Sequence, residues 1–209
     1  DEQDADLIIT HHPLLFSGIK KIDYREMIGS YIVRLLNLGI SVYSSHTPFD
    51  KLEGGNNDFL AEKIGLSYVR GVACAEGENK IGRVGELENP MTLVAMMDLI
   101  AERLQMDPEQ IRAVGRPETL IETVGICTGA GADLMDLALE NGCQLFITGD
   151  LKYHDAQKAR AMGLSVIDAG HYGTEKSFAE NFARKLEQKA GDQIEVIQSE
   201  VDIDPFEMI

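Results

Sequence analysis

Four of the chain's five histidines follow segments that have the sequence of β-strands. His11 and His12 come directly after the apolar run 6–10, and His46 and His171 come after two further apolar runs. Imidazole and carboxylate ligands together suit zinc, iron, manganese or nickel, whereas calcium and magnesium sites are built from oxygens. The placement of these histidines therefore predicts a metal site at the ends of strands.

Carboxylates accompany two of these histidines at the same spacing. Asp50 lies four residues after His46, and Glu175 lies four residues after His171. We expect Glu175 near the start of a helix, with Thr174 as the cap.

The adjacent pair His11 and His12 allows two interpretations. Because neighbouring side chains of an extended chain diverge, the two rings are expected to contact different ions. Alone, such a pair is equally typical of a polar turn, and a single histidine–carboxylate spacing is weaker still. The coincidence of three such clusters at the ends of strands favours the metal site.

Two other segments could take part in chemistry. His154 ends the segment Gly149–His154, where it either orients a metal ligand or bound water or is simply a residue at the start of a helix. The loop Gly125–Gly131 could present backbone amides to an anion. It lacks the ending of a phosphate-binding loop, and tight packing between a strand and a helix explains its glycines as well.

The apolar pattern predicts alternating strands and helices. Residues 6–10 have the continuous apolar sequence of a strand buried on both faces, and the order that follows is typical of a parallel α/β sheet. The tail after Gly191 is predicted to form an edge strand. The predicted helices are 28–38, one ending near Gly65, 93–104, 132–140, 156–162 and 176–189, and the other predicted strands are 40–43, 82–87, 111–114, 124–127, 145–148 and 165–168.

Two parts of the chain resemble each other. DLIIT followed later by GISVYSSH is similar to QLFIT followed later by GLSVIDAGH. Each has a strand ending in Ile-Thr, a helix ended by glycine and a second strand that leads to a histidine. We therefore predict a layered α/β fold of one domain, 1–209, with two pseudo-repeated lobes at about 1–70 and 120–209 joined by 71–119. So short a match arises either by chance or from an internal duplication. A duplication would bring equivalent strand ends together, where open α/β sheets bind ligands.

The composition narrows the class of partners. With 19 basic and 35 acidic residues the net charge is −16, which disfavours binding to nucleic acid. No apolar run approaches the roughly 20 residues that cross a bilayer. The acidic start of the chain lacks the features of a secretion signal, so we expect a cytoplasmic protein. The three cysteines never form a CxxC pair, so they are expected to be small buried residues rather than disulfides or zinc ligands.

Four motifs together resemble one known family. DLIITHHPLLF, SSHTPFD followed by GGNNDFLAEKIGL, ITGDLKYHDA and DAGHYGTE occur in this order. They are similar to the dinuclear-metal family of GTP cyclohydrolase 1 type 2 homologs, also called Nif-three-like proteins. The resemblance spans nearly the whole chain. Members usually have a further strand and helices ahead of the paired histidines, so this N-terminal part of the family is expected to be missing here.

The resemblance implies a set of site residues and an activity. Two divalent ions, of zinc, iron or manganese, would be bound by His11, His12, Asp50, His171 and Glu175. His46 lines the same site, either as a further ligand or as a proton-transfer residue, and it or Glu175 would manage the proton of the reaction. The implied activity is hydrolysis of a nucleotide-like small molecule by metal-activated water, with ring opening of a guanine nucleotide as the reaction in the family name. A homohexamer is also implied.

Two other functions use the same residues. A metal-dependent phosphoesterase would use the same activated water. A metal-binding regulatory scaffold would bind the ions and turn over no substrate.

Overall fold

The computed structural model describes residues 3–74 and 77–206, and these residues divide between Phe49 and Asp50 into two compact units. Within the described residues, no helix combines the length and apolar character that crossing a membrane requires. The helices are α1 Met27–Leu38, α2 Thr47–Lys51, α3 Asn56–Lys63, α4 Leu93–Leu104, α5 Met135–Glu140, α6 Tyr153–Met162, α7 His171–Glu175 and α8 Phe178–Ala190. The strands are β1 Leu7–Thr10, β2 Ser41–Ser44, β3 Ser67–Cys74, β4 Gly77–Thr92, β5 Arg112–Val114, β6 Leu120–Ala130, β7 Leu145–Gly149 and β8 Ser165–Asp168.

The first unit is a β-α-β segment with a two-stranded sheet. β1 and β2 pair in parallel, and α1 connects them and ends at Gly39 in the left-handed conformation. The expectation that β1 is buried on both faces is wrong, because Leu7 and Ile8 are 48% and 39% exposed. In the described part of the chain β1 pairs with β2 alone, and the two strands make too small a sheet to cover both of its faces.

The second unit contains a six-stranded sheet in the order β3-β4-β6-β7-β8-β5. β6, β7 and β8 are parallel, whereas β3, β4 and β5 pair antiparallel with their neighbours. The predicted α/β class is confirmed, and the parallel pairing expected from the strand and helix order is found for β6, β7 and β8 but not for β3, β4 and β5. Only two residues separate β3 from β4, and so short a connection joins antiparallel strands.

Two apolar cores lie on opposite faces of this sheet. Strand residues alternate between faces, so Leu145 and Ile147 of β7 join a different cluster from Phe146, which is fully buried between them. Helices α3 and α4 pack with Ile147, and α5 and α6 pack with Phe146. Every residue of β7 is buried, so the surrounding residues fix the position of its last residue, Gly149, and of the chain that follows it.

The two similar segments share a strand register. In the first, Leu7 pairs with Ser41 and Thr10 with Ser44; in the second, Leu145 pairs with Ser165 and Thr148 with Asp168. The residues that follow Thr10 are His11 and His12, and those that follow the equivalent Thr148 are Gly149, the last residue of β7, and Asp150. The described structure thus contains the same β-α-β arrangement twice. The lobe boundaries at about 70 and 120 stay a prediction.

The tail has no strand among its described residues. After a 3₁₀ turn at Gly191–Gln193, residues 194–206 have no regular structure, so the predicted edge strand is wrong over this range. Apolar residues such as Ile197 and Val201 have the propensity for a strand, yet a strand also needs a partner edge.

An ion pair anchors α3 to the sheet. The Arg83 guanidinium of β4 donates to both carboxylate oxygens of Asp58, at 2.6 and 2.9 Å, and Asp58 also accepts the Gly54 N–H. The Arg83 side chain is only 7% exposed, so its charge depends on this partner.

Removing the Asp58 carboxylate should therefore destabilise the fold. We expect Asp58→Ala to lower the free energy of unfolding by about 2 kcal/mol, because the Arg83 charge loses its bidentate acceptor. Denaturant unfolding measures this change. The matched control is Asp136→Ala, which removes an exposed ion pair with Lys158 and should cost less than about 1 kcal/mol. Equal losses in the two variants would contradict the anchoring role.

Candidate metal centre

Three histidines converge in the first unit. His11, His12 and His46 each offer a ring nitrogen, and these three atoms lie within 4.8 Å of one another. The ring centroids are 5.0 to 5.1 Å apart. The expected divergence of His11 and His12 is wrong, because both lie beyond the end of β1, where the alternation of a strand no longer applies.

Backbone contacts orient this histidine cluster. The Nδ1 of His11 lies 3.0 Å from the carbonyl oxygen of Ser45, just after β2. A carbonyl only accepts, so Nδ1 carries the proton and Nε2 is the nitrogen that can offer a lone pair to a metal. The Thr10 hydroxyl donates to the His12 carbonyl at 2.8 Å and so fixes the turn between the two rings. Sequence and tautomer agree with metal binding.

An aromatic side chain lies beside the histidine cluster. The Phe16 ring is 6.1 Å from the His46 ring in an edge-on arrangement and 6.4 Å from the His12 ring. Phe16 is 75% exposed. An exposed apolar ring next to polar ligand atoms offers a flat contact surface for a small molecule.

The second unit pairs His171 with Glu175. They are the first and last residues of α7, and their side chains meet because they lie one helical turn apart. The His171 Nε2 is 3.1 Å from a Glu175 carboxylate oxygen, and Glu175 is buried. The expectation that Glu175 lies near a helix start with Thr174 as cap is wrong. The Thr174 hydroxyl instead accepts the N–H of Gly129, in β6.

The other ring nitrogen of His171 has a carboxylate partner as well. Its Nδ1 lies 2.7 Å from a carboxylate oxygen of Asp150. The pKa of His171 is raised to about 9, chiefly by the hydrogen bond to Glu175, against the effect of burial and with a further contribution from Asp150. Without a metal the ring is therefore protonated at neutral pH, and a metal bound at Nε2 would replace one of its two protons.

Asp50 is held at the start of the second unit by α3. Its carboxylate accepts the side-chain N–H of Asn56 at 3.0 Å, and its carbonyl accepts that of Asn57 at 3.2 Å. The Oδ1 of Asn57 in turn accepts the N–H of Thr128 in β6, and this hydrogen bond connects the start of α3 to the sheet. The two asparagines of the motif GGNND thus hold Asp50 in place.

The charges of Asp50 and Glu175 both affect the pKa of the Cys127 thiol. Burial is the main cause that raises the pKa of Cys127 to about 12, and the negative charges of Asp50 and Glu175 raise it further. The second unit contains three of the predicted ligands: Asp50, His171 and Glu175. The two carboxylates are buried near Cys127, and the His171 imidazole contacts Glu175. Cys127 and Cys143 are buried and free, as predicted, whereas Cys74 is half-buried.

The glycines of the loop Gly125–Gly131 are required by close packing. A Cβ on Gly129 would lie 2.2 Å from a Glu175 carboxylate oxygen, and one on Gly131 would lie 2.4 Å from the Cβ of Cys127. The structure thus supports the packing explanation and gives no independent reason for an anion site.

His154 does not orient a ligand in the described structure. It is exposed, and its Nδ1 lies 3.1 Å from the Gln157 side chain one turn along α6. Asp150, which sequence reasoning left without a role, contacts His171 instead. A signal for it was present: in the shared register Asp150 occupies the position that His12 has after β1.

Comparison with known proteins identifies the family. The model of the family described as Duf34/NIF3 (NGG1p interacting factor 3) matches residues 1–205. A Clostridium perfringens protein named GTP cyclohydrolase 1 type 2 homolog is 34% identical over 210 residues, which cover 100% of this chain and 79% of that protein. The Drosophila melanogaster NIF3-like protein 1 is 31% identical over 209 residues, covering 98% of this chain and 70% of its own.

Solved structures agree on the fold. A hypothetical protein of Staphylococcus aureus superposes with a TM-score of 0.91 at 25% identity, covering 100% of this chain and 81% of that one. A Bacillus cereus protein related to NIF3 gives a TM-score of 0.90 at 20% identity and covers 100% of this chain and 84% of its own. The motifs, the α/β fold and these matches lead to one conclusion: the chain belongs to the Duf34/NIF3 family.

Proposed function

We propose that this protein is a metal-dependent hydrolase of small molecules. Its two divalent ions, of zinc, iron or manganese, would be bound by His11, His12, Asp50, His171 and Glu175. The observation that carries the proposal is the cluster of His11, His12 and His46, whose ring nitrogens lie within 4.8 Å of one another. Three imidazoles at such distances, with one tautomer fixed by a backbone carbonyl, have the composition of a transition-metal site.

The second unit supplies the charge that such ions require. Three neutral imidazoles leave the charge of a divalent cation uncompensated, and the buried carboxylates Asp50 and Glu175 would offset it. His171 would contribute Nε2, the nitrogen that lies beside Glu175. When bound, the metal ions would lower the pKa of a bound water toward neutrality.

Two residues would manage protons in the reaction. His46 is half-buried beside His11 and His12, and an imidazole there can serve as a general acid or base. Glu175 would act in the same way. Their role follows from position and chemistry: each can hold a proton close to the reacting water.

The proposed substrate is a nucleotide-like small molecule. The exposed Phe16 ring beside His46 supports a planar group as part of the substrate. The relatives named GTP cyclohydrolase 1 type 2 homolog make GTP the first compound to test. In the proposed reaction a water adds to the carbon between the two nitrogens of the guanine imidazole ring, and one C–N bond breaks to leave a formamide. A second water then hydrolyses the formamide and releases formate. The hexameric assembly and the cytoplasmic location stay predictions.

The test combines a substrate panel with one variant. Protein loaded in turn with zinc, iron or manganese is incubated with GTP, and formate is measured; we expect metal-dependent formate. His46→Gln should lower kcat by about 100-fold or more, because a proton-transfer group is lost. His154→Ala, which changes an exposed histidine bonded to Gln157, is the matched control and should retain full activity.

The outcomes separate the three functions. Metal-dependent hydrolysis of a phosphoester from a parallel panel, without formate, would identify a phosphoesterase. Metal binding without turnover of any tested compound would favour the regulatory scaffold and contradict the hydrolase.

A further inference from the structure

Asp150 has a left-handed backbone conformation at the end of β7. Its φ is +54°, in a region that glycine adopts readily, Asp and Asn occasionally, and other residues rarely. Such a conformation costs on the order of 1 kcal/mol and persists only where the surroundings impose it. The position of this residue therefore needs a reason.

Neighbouring contacts impose the conformation. The buried Asp168 carboxylate accepts the N–H of Leu151 at 3.2 Å with one oxygen and the N–H of Gly170 at 3.0 Å with the other. It thereby joins the residue after Asp150 to the residue before His171. Gly149 allows the close approach, because a Cβ there would lie 2.6 Å from the backbone of Gly170. Two loops are thus locked side by side.

The result of this arrangement is one short hydrogen bond. The Asp150 carboxylate lies 2.7 Å from the Nδ1 of His171, and a carboxylate accepts, so Nδ1 donates. Nδ1 keeps its proton, and the ring is turned so that Nε2 lies beside Glu175.

We propose that Asp150 is a positioning residue that holds the Nδ1–H of His171 and directs Nε2 to a divalent metal ion. The inference rests on the proposed function, since it assigns Asp150 a role toward the metal ligand. A purely structural role does not account for the bond. The Asp150 side chain is 55% exposed, and an ion pair so exposed contributes between zero and about 1 kcal/mol, no more than the backbone conformation costs.

Two substitutions separate positioning from folding. Asp150→Gly removes the carboxylate and also relieves the backbone, because glycine adopts a positive φ readily. We expect this variant to be at least as stable as the wild type in thermal unfolding, yet to bind Zn²⁺ about 10- to 100-fold more weakly. Asp150→Asn tolerates the same φ and keeps an oxygen that accepts the Nδ1–H, so it should recover most of the affinity.

The bond itself can be observed by NMR. In the Zn²⁺-loaded protein with ¹⁵N-labelled histidine, the Nδ1–H of His171 should give a resonance that is protected from exchange with water. We expect it to persist in Asp150→Asn and to disappear in Asp150→Gly. His154→Ala is the control, in which we expect the Nδ1–H resonance of His171 and the Zn²⁺ affinity to be the same as in the wild type.

The outcomes distinguish this inference from the proposed function. A wild-type protein that binds no Zn²⁺ would overturn the proposed function and the inference with it. A wild type that binds Zn²⁺, together with an Asp150→Gly variant of equal affinity, would overturn the inference alone. An Asp150→Asn variant as weak as Asp150→Gly would also overturn it, because the hydrogen-bond acceptor would then be irrelevant.

Discussion

Replacing Glu175 by Gln is expected to weaken metal binding by more than about 100-fold and to reduce the metal content below two ions per chain. The amide has nearly the same shape as the carboxylate, so it should fit the buried position beside Gly129. It supplies no negative charge and is a poor ligand, so the loss should exceed the 10- to 100-fold typical of residues that only support a ligand. Elemental analysis and Zn²⁺ titration measure both quantities.

The control for this substitution is Glu187→Gln on α8. Glu187 is exposed, so the same chemical change should leave metal binding as it is in the wild type. His12→Ala should resemble Glu175→Gln if both residues bind the same pair of ions. Two ions per chain with unchanged affinity in Glu175→Gln would remove Glu175 from the ligand set.

Gly129→Ala is expected to lower the Zn²⁺ affinity by about 100-fold, although it removes no charged side chain and no predicted ligand of the site. The added Cβ would lie 2.2 Å from a carboxylate oxygen of Glu175 and 3.3 Å from the Nε2 of His171. The side chain of Glu175 has to move away, and the carboxylate then leaves the position from which it contacts His171. Calorimetric titration with Zn²⁺ measures the loss.

Alanine at a second glycine, Gly142, distinguishes the effect of displacing Glu175 from the effect of backbone strain. Gly129 and Gly142 have φ values of +65° and +79°, so alanine should cost each about 1–2 kcal/mol of stability. A Cβ on Gly142 meets no atom within 4 Å. We expect both variants to unfold at lower denaturant, but only Gly129→Ala to lose metal affinity. Equal affinities in the two variants would show that contact with Glu175 does not matter.

Sequence reasoning predicted elements well where periodicity and end signals agree. The helix 93–104 and the strand 165–168 have the predicted bounds, because a helix-spaced apolar face and a short buried run leave little choice. The direction of strand pairing was not predictable from periodicity. β3 was not predicted at all, since its sequence SYVRGVAC places a glycine and an arginine between its apolar residues.

The residues of the site were easier to predict than their relations. Histidines and carboxylates after strands predict a metal site by their residue types alone, and the four motifs predict the family. Whether two rings converge depends on the turn that carries them, which the residues around His11 and His12 do not specify. The contact between Asp150 and His171 needed the register of β7 and β8, because the two residues are 21 positions apart. The ligand set as a whole stays a prediction.

The repeated strand register has a consequence for how such a protein can evolve. In each β-α-β segment the apolar strand residues specify the folding, while the two residues after Thr10 and after Thr148 differ: His11 and His12 in one segment, Gly149 and Asp150 in the other. Substitutions at His11, His12 or Asp150 should leave the strand pairing intact, whereas Gly149 is restricted, because it pairs with Ala130 and leaves no room for a Cβ. The side chains at these strand ends can therefore change in one segment without changing the fold of the other.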